Sequence, residues 1–132
     1  MSLDEAHTPP RGIHVVAQPQ YEEEPSNPQA SLYVYSYKIT IRNDGKQPVQ
    51  LLNRRWLIRD GFNNVEQVVG EGVVGQKPVI EPGKAFSYSS FCPLKTPSGS
   101  MEGAYQMVNL ATQEHFETEI PKFLLVNKML MN

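Results

Sequence analysis

The sequence predicts an all-β fold, a fibronectin type III or immunoglobulin-like β-sandwich of about 7–8 antiparallel strands, and three observations carry that prediction. Apolar residues recur with period two rather than at helical spacing. No window of about 12 residues carries a clean amphipathic helical stripe. Turn-forming residues break the chain roughly every 8 to 12 residues, and the 9 Gly and 11 Pro of the 132 residues fall mainly between the alternating runs. That length suits one domain able to bury roughly two-thirds of its unfolded surface.

Residues 1–12 read as a flexible tail set off by Pro9, Pro10 and Gly12, residues 13–126 as the sandwich body, and residues 127–132 as a second tail. Truncating the first tail is expected to cost little. After a first alternating run comes YEEEPSNPQA at residues 21–30, with three consecutive glutamates and two prolines, which suits a solvated connection. Tyr33, Tyr35, Tyr37, Ile39 and Ile41 then share one face of a strand, while Val34, Ser36, Lys38, Thr40 and Arg42 share the other. Asn43-Asp44-Gly45 ends it. The run over 49–59 alternates less cleanly, since Arg54 intrudes among Leu52, Trp56 and Ile58; Asp60-Gly61 supplies positive-φ turn chemistry before a short strand over 65–69.

Glu81-Pro82-Gly83 fits a type II turn, and Phe86 and Tyr88 share a face of the strand that follows. Cys92-Pro93 and Thr96-Pro97-Ser98-Gly99 read as an irregular connection. Met101, Gly103, Tyr105 and Met107 alternate with polar or small residues, as do Phe116, Thr118 and Ile120; the apolar run at 123–126 is expected to cover an edge.

Composition removes several function classes. A formal net charge of −2 argues against a nucleic-acid binder, whose affinity comes mainly from neutralising phosphates. One cysteine, Cys92, allows no internal disulfide, and with three scattered histidines it makes no zinc ribbon or finger. No apolar run approaches the roughly 18–20 residues of a membrane span, and the start lacks a hydrophobic stretch behind a basic one, so membrane insertion and secretion are not expected and a cytoplasmic location is.

The motif Gly70-Glu71-Gly72-Val73-Val74-Gly75 spells the dinucleotide fingerprint directly after a strand. A helix must follow for that chemistry, and Pro78 and Pro82 deny it. Two readings survive: the loop amides form an anion nest helped by Lys77, or Gly70, Gly72 and Gly75 serve only a tight connection. Arg54 and Arg55 beside Trp56 suit an anionic ligand or a protein partner; alternatively Trp56 fills the core and Arg54 satisfies loop carbonyls. Glu22, Glu23 and Glu24 lack an organised oxygen cage. His115, Glu117 and Glu119 share a strand face, with no second histidine or cysteine nearby in sequence, and Cys92 reads as a packed thiol. No catalytic set, metal site or cofactor site follows.

Taken together, the run from Ile13, YVYSYKITIRNDGKQPVQLLNRRWLIRDG, VVGEGVVGQKPVIEPGKAFSYSS, PLKTPSGSMEGAYQMV and FETEIPKFLL resemble the ApaG protein family over about residues 13–126. The resemblance implies a fibronectin type III-like sandwich, stand-alone in bacteria and present as a domain in some F-box proteins and in a polymerase-δ-interacting protein. It also implies an association with cobalt resistance and magnesium efflux, and a gene beside a diadenosine tetraphosphate hydrolase. The family's glycine motif, matched at Gly70, Gly72 and Gly75, has been discussed as a pyrophosphate site.

The expected function is therefore a non-enzymatic module that binds an unidentified protein. The alternative is a sensor of phosphate, pyrophosphate or nucleotide at loop 70–75. Direct cobalt or magnesium binding is disfavoured by the scarcity of soft ligands and the weakness of carboxylate-only magnesium sites, and any transport role acts through a partner. Exposed sheet edges are compatible with a homodimer.

Overall fold

The alternation beginning at Tyr33 becomes the central strand of a three-stranded sheet, because its tyrosine and isoleucine face has a second sheet to cover it. The structure is a computed structural model that describes residues 10–127. Its strands are β1 (Ile13–Tyr21), β2 (Tyr33–Asn43), β3 (Val49–Asp60), β4 (Val65–Glu71), β5 (Val79–Ile80), β6 (Ala85–Leu94), β7 (Gly99–Asn109) and β8 (His115–Leu125). One antiparallel sheet has the order β1-β2-β6. The other has the order β4-β3-β7-β8, with β5 paired to the first residues of β3 on the edge that β4 continues. The two layers make the predicted sandwich, with Tyr35, Ile39 and Ile41 of one sheet and Leu51, Tyr105 and Met107 of the other fully buried between them.

Prolines and bulges explain where the strands depart from the sequence reading. β6 does not stop at Cys92-Pro93 but runs to Leu94, with Pro93 opposite Val34, since β6 is an edge strand and needs no outward N–H there. β8 runs unbroken to Leu125 instead of leaving 123–126 as a separate cover. Between the pairs Gly103 with Ile120 and Met101 with Phe123 it carries extra residues, and Pro121 lies in that bulge, where no ladder bond is required of it. A bulge in β3 between Leu51 and Asn53 flips the side-chain parity: Val49 and Leu51 point inward before it, Arg54, Trp56 and Ile58 after it. This is why the alternation over 49–59 is blurred.

The turn after β3 draws its positive φ from Asn63 (φ 63°) and not from Gly61. Asp60 Oδ1 accepts the N–H groups of Phe62 and Asn64 at 2.8 and 2.9 Å, which organises the turn. The Glu81-Pro82-Gly83 turn forms as expected, with Gly83 at φ 79° and the Lys84 N–H bonded to Glu81 O at 3.0 Å.

The tails expected at 1–12 and 127–132 lie mostly outside the described residues. Arg11 and Gly12 are described, and both touch the body. Arg11 Nη1 meets Glu114 Oε1 at 2.6 Å, its guanidinium lies 4.7 Å from the Phe116 ring, and Gly12 O accepts the Asp44 N–H.

Candidate functional site

The glycine segment is the end of β4 followed by a tight hairpin. Val73 and Gln76 exchange both backbone hydrogen bonds, at 2.8 and 2.9 Å, around Val74 (φ 43°) and Gly75 (φ 79°), a type I′ turn. Gly72 is required by its φ of 60° and by a Gln76 carbonyl 2.2 Å from where a β-carbon would sit. No helix follows, and the chain passes from Gln76 through Lys77 and Pro78 into β5. The N–H of Gly72 is donated to Leu52 O, that of Val73 to Gln76 O and that of Gln76 to Val73 O, so these amides face the protein. Lys77 Nζ lies 3.7 Å from Glu71 Oε1 on the surface.

Arg54 belongs to this loop. The β3 bulge turns it inward, opposite Gly70 on β4 and Tyr105 on β7. Its Nη1 donates to the carbonyls of Glu71 and Gly72, each at 2.9 Å. A β-carbon on residue 70 would lie 2.9 Å from the guanidinium, so Gly70 provides the space Arg54 occupies.

Trp56 is not a surface residue, which corrects its reading as a partner contact. The same inward parity places it in the core at 2% exposure, in edge contact with Tyr37, Tyr105 and Phe123 at centroid distances of 5.4 to 6.5 Å. Of the three, Arg55 is exposed, Arg54 is half-buried and Trp56 is buried. Arg55 lies on the outward face of the larger sheet, with Nη1 and Nη2 each 3.4 Å from a Glu117 carboxylate oxygen.

Around Arg55 the outward face forms a cleft of about 430 Å³, lined by Asn53 and Arg55 of β3, Val69 and Glu71 of β4, Ala104 and Gln106 of β7, and Glu117 of β8. Asn53 Nδ2 donates to Gln106 Oε1 at 3.0 Å across one side of it. Leu57, Val65 and Val69 are exposed on the same face. Sequence reasoning missed Asn53, Val69, Ala104 and Gln106. The alternation on β7 marks Ala104 and Gln106 as outward, but only the strand order brings them beside Arg55.

Other candidates are placed without forming a site. Burial, with the nearby Glu66 charge, pushes the Cys92 thiol up to about 11, which leaves it a packed thiol. Glu22 accepts a hydrogen bond from Ser36 Oγ at 2.6 Å, and Glu23 and Glu24 are exposed. Among the described residues no group of three His, Cys, Asp or Glu side chains is arranged to hold a metal, and no helix is long and apolar enough to cross a membrane. Between the sheets the hydroxyls of Tyr88 and Tyr105 hydrogen-bond to each other, and burial raises the pKa of both.

The ApaG domain model matches residues 23–109, which spans β2 to β7 and includes the glycine hairpin and Arg54. The chain belongs to the ApaG family. It is 49% identical over 115 residues to the ApaG protein of Methylobacterium nodulans, covering 87% of this chain and 88% of that one. It is 50% identical to the ApaG protein of Caulobacter vibrioides over the same length, 81% of that relative. Among solved structures, a Bordetella pertussis protein assigned as ApaA superposes with a TM-score of 0.85 at 42% identity, covering 88% of this chain and 94% of that one. The curated ApaG relatives carry no enzymatic name.

Proposed function

We propose that this chain is a non-enzymatic, cytoplasmic interaction module that holds a partner protein against the outward face of its larger sheet. The observation that supports this is the cleft around Arg55 with Leu57, Val65 and Val69 beside it, at 38%, 48% and 65% exposure. Arginine is enriched in binding hot spots, and exposed apolar side chains grouped on one sheet face mark an interaction surface. The Arg55–Glu117 pair is long and solvent-exposed, so it adds little to folding and is readily exchanged for a partner carboxylate. The cation association implied by the family resemblance then acts through that partner.

The loop geometry favours this reading over phosphate, pyrophosphate or nucleotide sensing at Gly70, Gly72, Gly75 and Lys77. Three hairpin amides are already donated within the protein, Arg54 is directed at carbonyls, and Lys77 is paired with Glu71. Affinity capture from native cells with mass spectrometry of proteins and co-purifying small molecules tests the proposal. A protein retained by the wild type and lost with Arg55→Glu and Leu57→Asp is the expected result. Equal capture by all three, or recovery of a phosphorylated small molecule alone, overturns it.

A further inference from the structure

The terminal strands of the two sheets are β1, β6, β8 and β4. Three of them contain a proline, Pro19, Pro93 and Pro121 respectively, and β1 also packs against β8 where the layers meet. Such prolines blunt an edge against unwanted pairing. The β4 sequence, VEQVVGE, has no proline and no lysine, and its pairing with β3 contains no bulge.

The ladder parity of β4 follows from the bonds at its two ends. The Asp60 N–H is bonded to Asn64 O and the Gly72 N–H to Leu52 O, so even-numbered residues of this segment direct their backbone groups into β3. Val65, Gln67, Val69 and Glu71 therefore direct theirs away from the sheet, and among the described residues only the Glu71 carbonyl of these groups is taken, by Arg54. The side chains of the same four residues are exposed.

We propose that β4 pairs antiparallel with β4 of a second copy of this chain, joining the two larger sheets across a twofold axis. The strand is complementary to itself in the one register that overlaps it fully. Parity pairs odd residues with odd ones, so Val65 faces Glu71 of the second copy, Gln67 faces Val69, Glu66 faces Gly70, and Val68 lies on the axis opposite its own counterpart. No glutamate meets another. Parallel in-register pairing would set Glu66 beside Glu66 and Glu71 beside Glu71, and like charges directly opposite are destabilising. The antiparallel contact uses the same patch on both copies and closes on itself, leaving no open edge to propagate. It also sets two Arg55 clefts on one continuous face, and it stands independently of the partner reading above.

Analytical ultracentrifugation of the full chain over a concentration series gives the first measurement, with a concentration-dependent dimer expected. Gln67→Pro removes an outward N–H without touching the β3 ladder, and Val69→Lys adds a charge to the edge. Both are expected to shift the dissociation constant at least about tenfold while circular dichroism stays that of the folded chain. The register is read by cross-linking in a Cys92→Ala background. Val68→Cys forms an intermolecular disulfide on mild oxidation, since a non-hydrogen-bonded antiparallel pair has a Cα separation of about 4.5 Å. Glu66→Cys does not, its counterpart lying about 13 Å away at four strand positions. A monomer at all concentrations, a dimer unaffected by both edge variants, or equal cross-linking of the two cysteine variants overturns the proposal. So does protection of the Val65, Gln67 and Val69 amides from hydrogen exchange only when a different protein is added.

Discussion

The guanidinium of Arg54 occupies the space that a side chain on Gly70 would fill, and from there it bonds the carbonyls of Glu71 and Gly72. The relationship is a coupling between two strands, and a double-mutant cycle measures it. Arg54→Ala leaves both carbonyls without that partner, with an expected cost of about 1–3 kcal/mol. Gly70→Val drives the guanidinium out and is expected to cost a similar ~1–3 kcal/mol by the same loss. Added to Arg54→Ala, however, Gly70→Val should cost almost nothing, because the space is then empty and valine suits a strand better than glycine. Urea unfolding of the four proteins checks this, and additive losses would contradict it.

The hairpin tip carries a different kind of strain. Val74 sits at φ 43° in a type I′ turn, a position that β-branched residues avoid and that asparagine or glycine adopts readily. Its side chain is 54% exposed and anchors nothing in the core. Val74→Asn is therefore expected to stabilise the fold by ~1 kcal/mol, raising the thermal midpoint by roughly 3–5 °C. A calorimetric scan showing no increase would mean that contacts of the valine side chain offset the backbone cost.

These two features mark the line between what was legible in the sequence and what was not. The Tyr33 to Ile41 alternation disclosed β2 because one strand face is a local property of the chain. The prolines at 78 and 82 correctly denied a helix to the glycine motif for the same reason. The β3 bulge was illegible, since one extra residue is defined only against β7, and it decides that Arg54 turns inward to the loop carbonyls, Trp56 fills the core and Arg55 faces outward. Pro93 reads as part of a connection and 123–126 as a separate cover, yet an edge strand absorbs Pro93 and a bulge at Pro121 lets β8 run on. The Arg55 cleft needed the order of four strands, which no local pattern encodes.

Between the sheets, the hydroxyls of Tyr88 and Tyr105 hydrogen-bond to each other within an aromatic part of the core. Tyr105 is fully buried and Tyr88 nearly so, so removing either hydroxyl strands the other. Tyr88→Phe and Tyr105→Phe are each expected to cost about 1–3 kcal/mol, whereas the double replacement, which leaves no orphan, should cost less than either. Denaturant midpoints of the three variants decide it. A double variant as destabilised as the sum of the singles would show that the hydroxyls contribute independently.

The same burial makes the fold sensitive to alkali. Burial, with a smaller contribution from Tyr21, raises the Tyr35 pKa from an ordinary 10.0 to about 12, and burial likewise raises Tyr37, Tyr88 and Tyr105. The Cys92 thiol moves from 9.0 to about 11, mainly by burial. In each case the native state holds its proton after the unfolded chain has lost it, so the unfolded state binds fewer protons and stability falls as pH rises. The contribution is complete below the ordinary values and declines as pH rises past them, with Cys92 passing its raised pKa at about 11 and Tyr35 at about 12. The urea midpoint should therefore hold steady up to about pH 9 and drop steeply beyond it. Tyrosinate absorbance of the buried residues should appear together with loss of the near-ultraviolet circular dichroism. Ionisation of Tyr35, Tyr37, Tyr88 and Tyr105 near pH 10 in a chain that remains folded would contradict the packing described for all four.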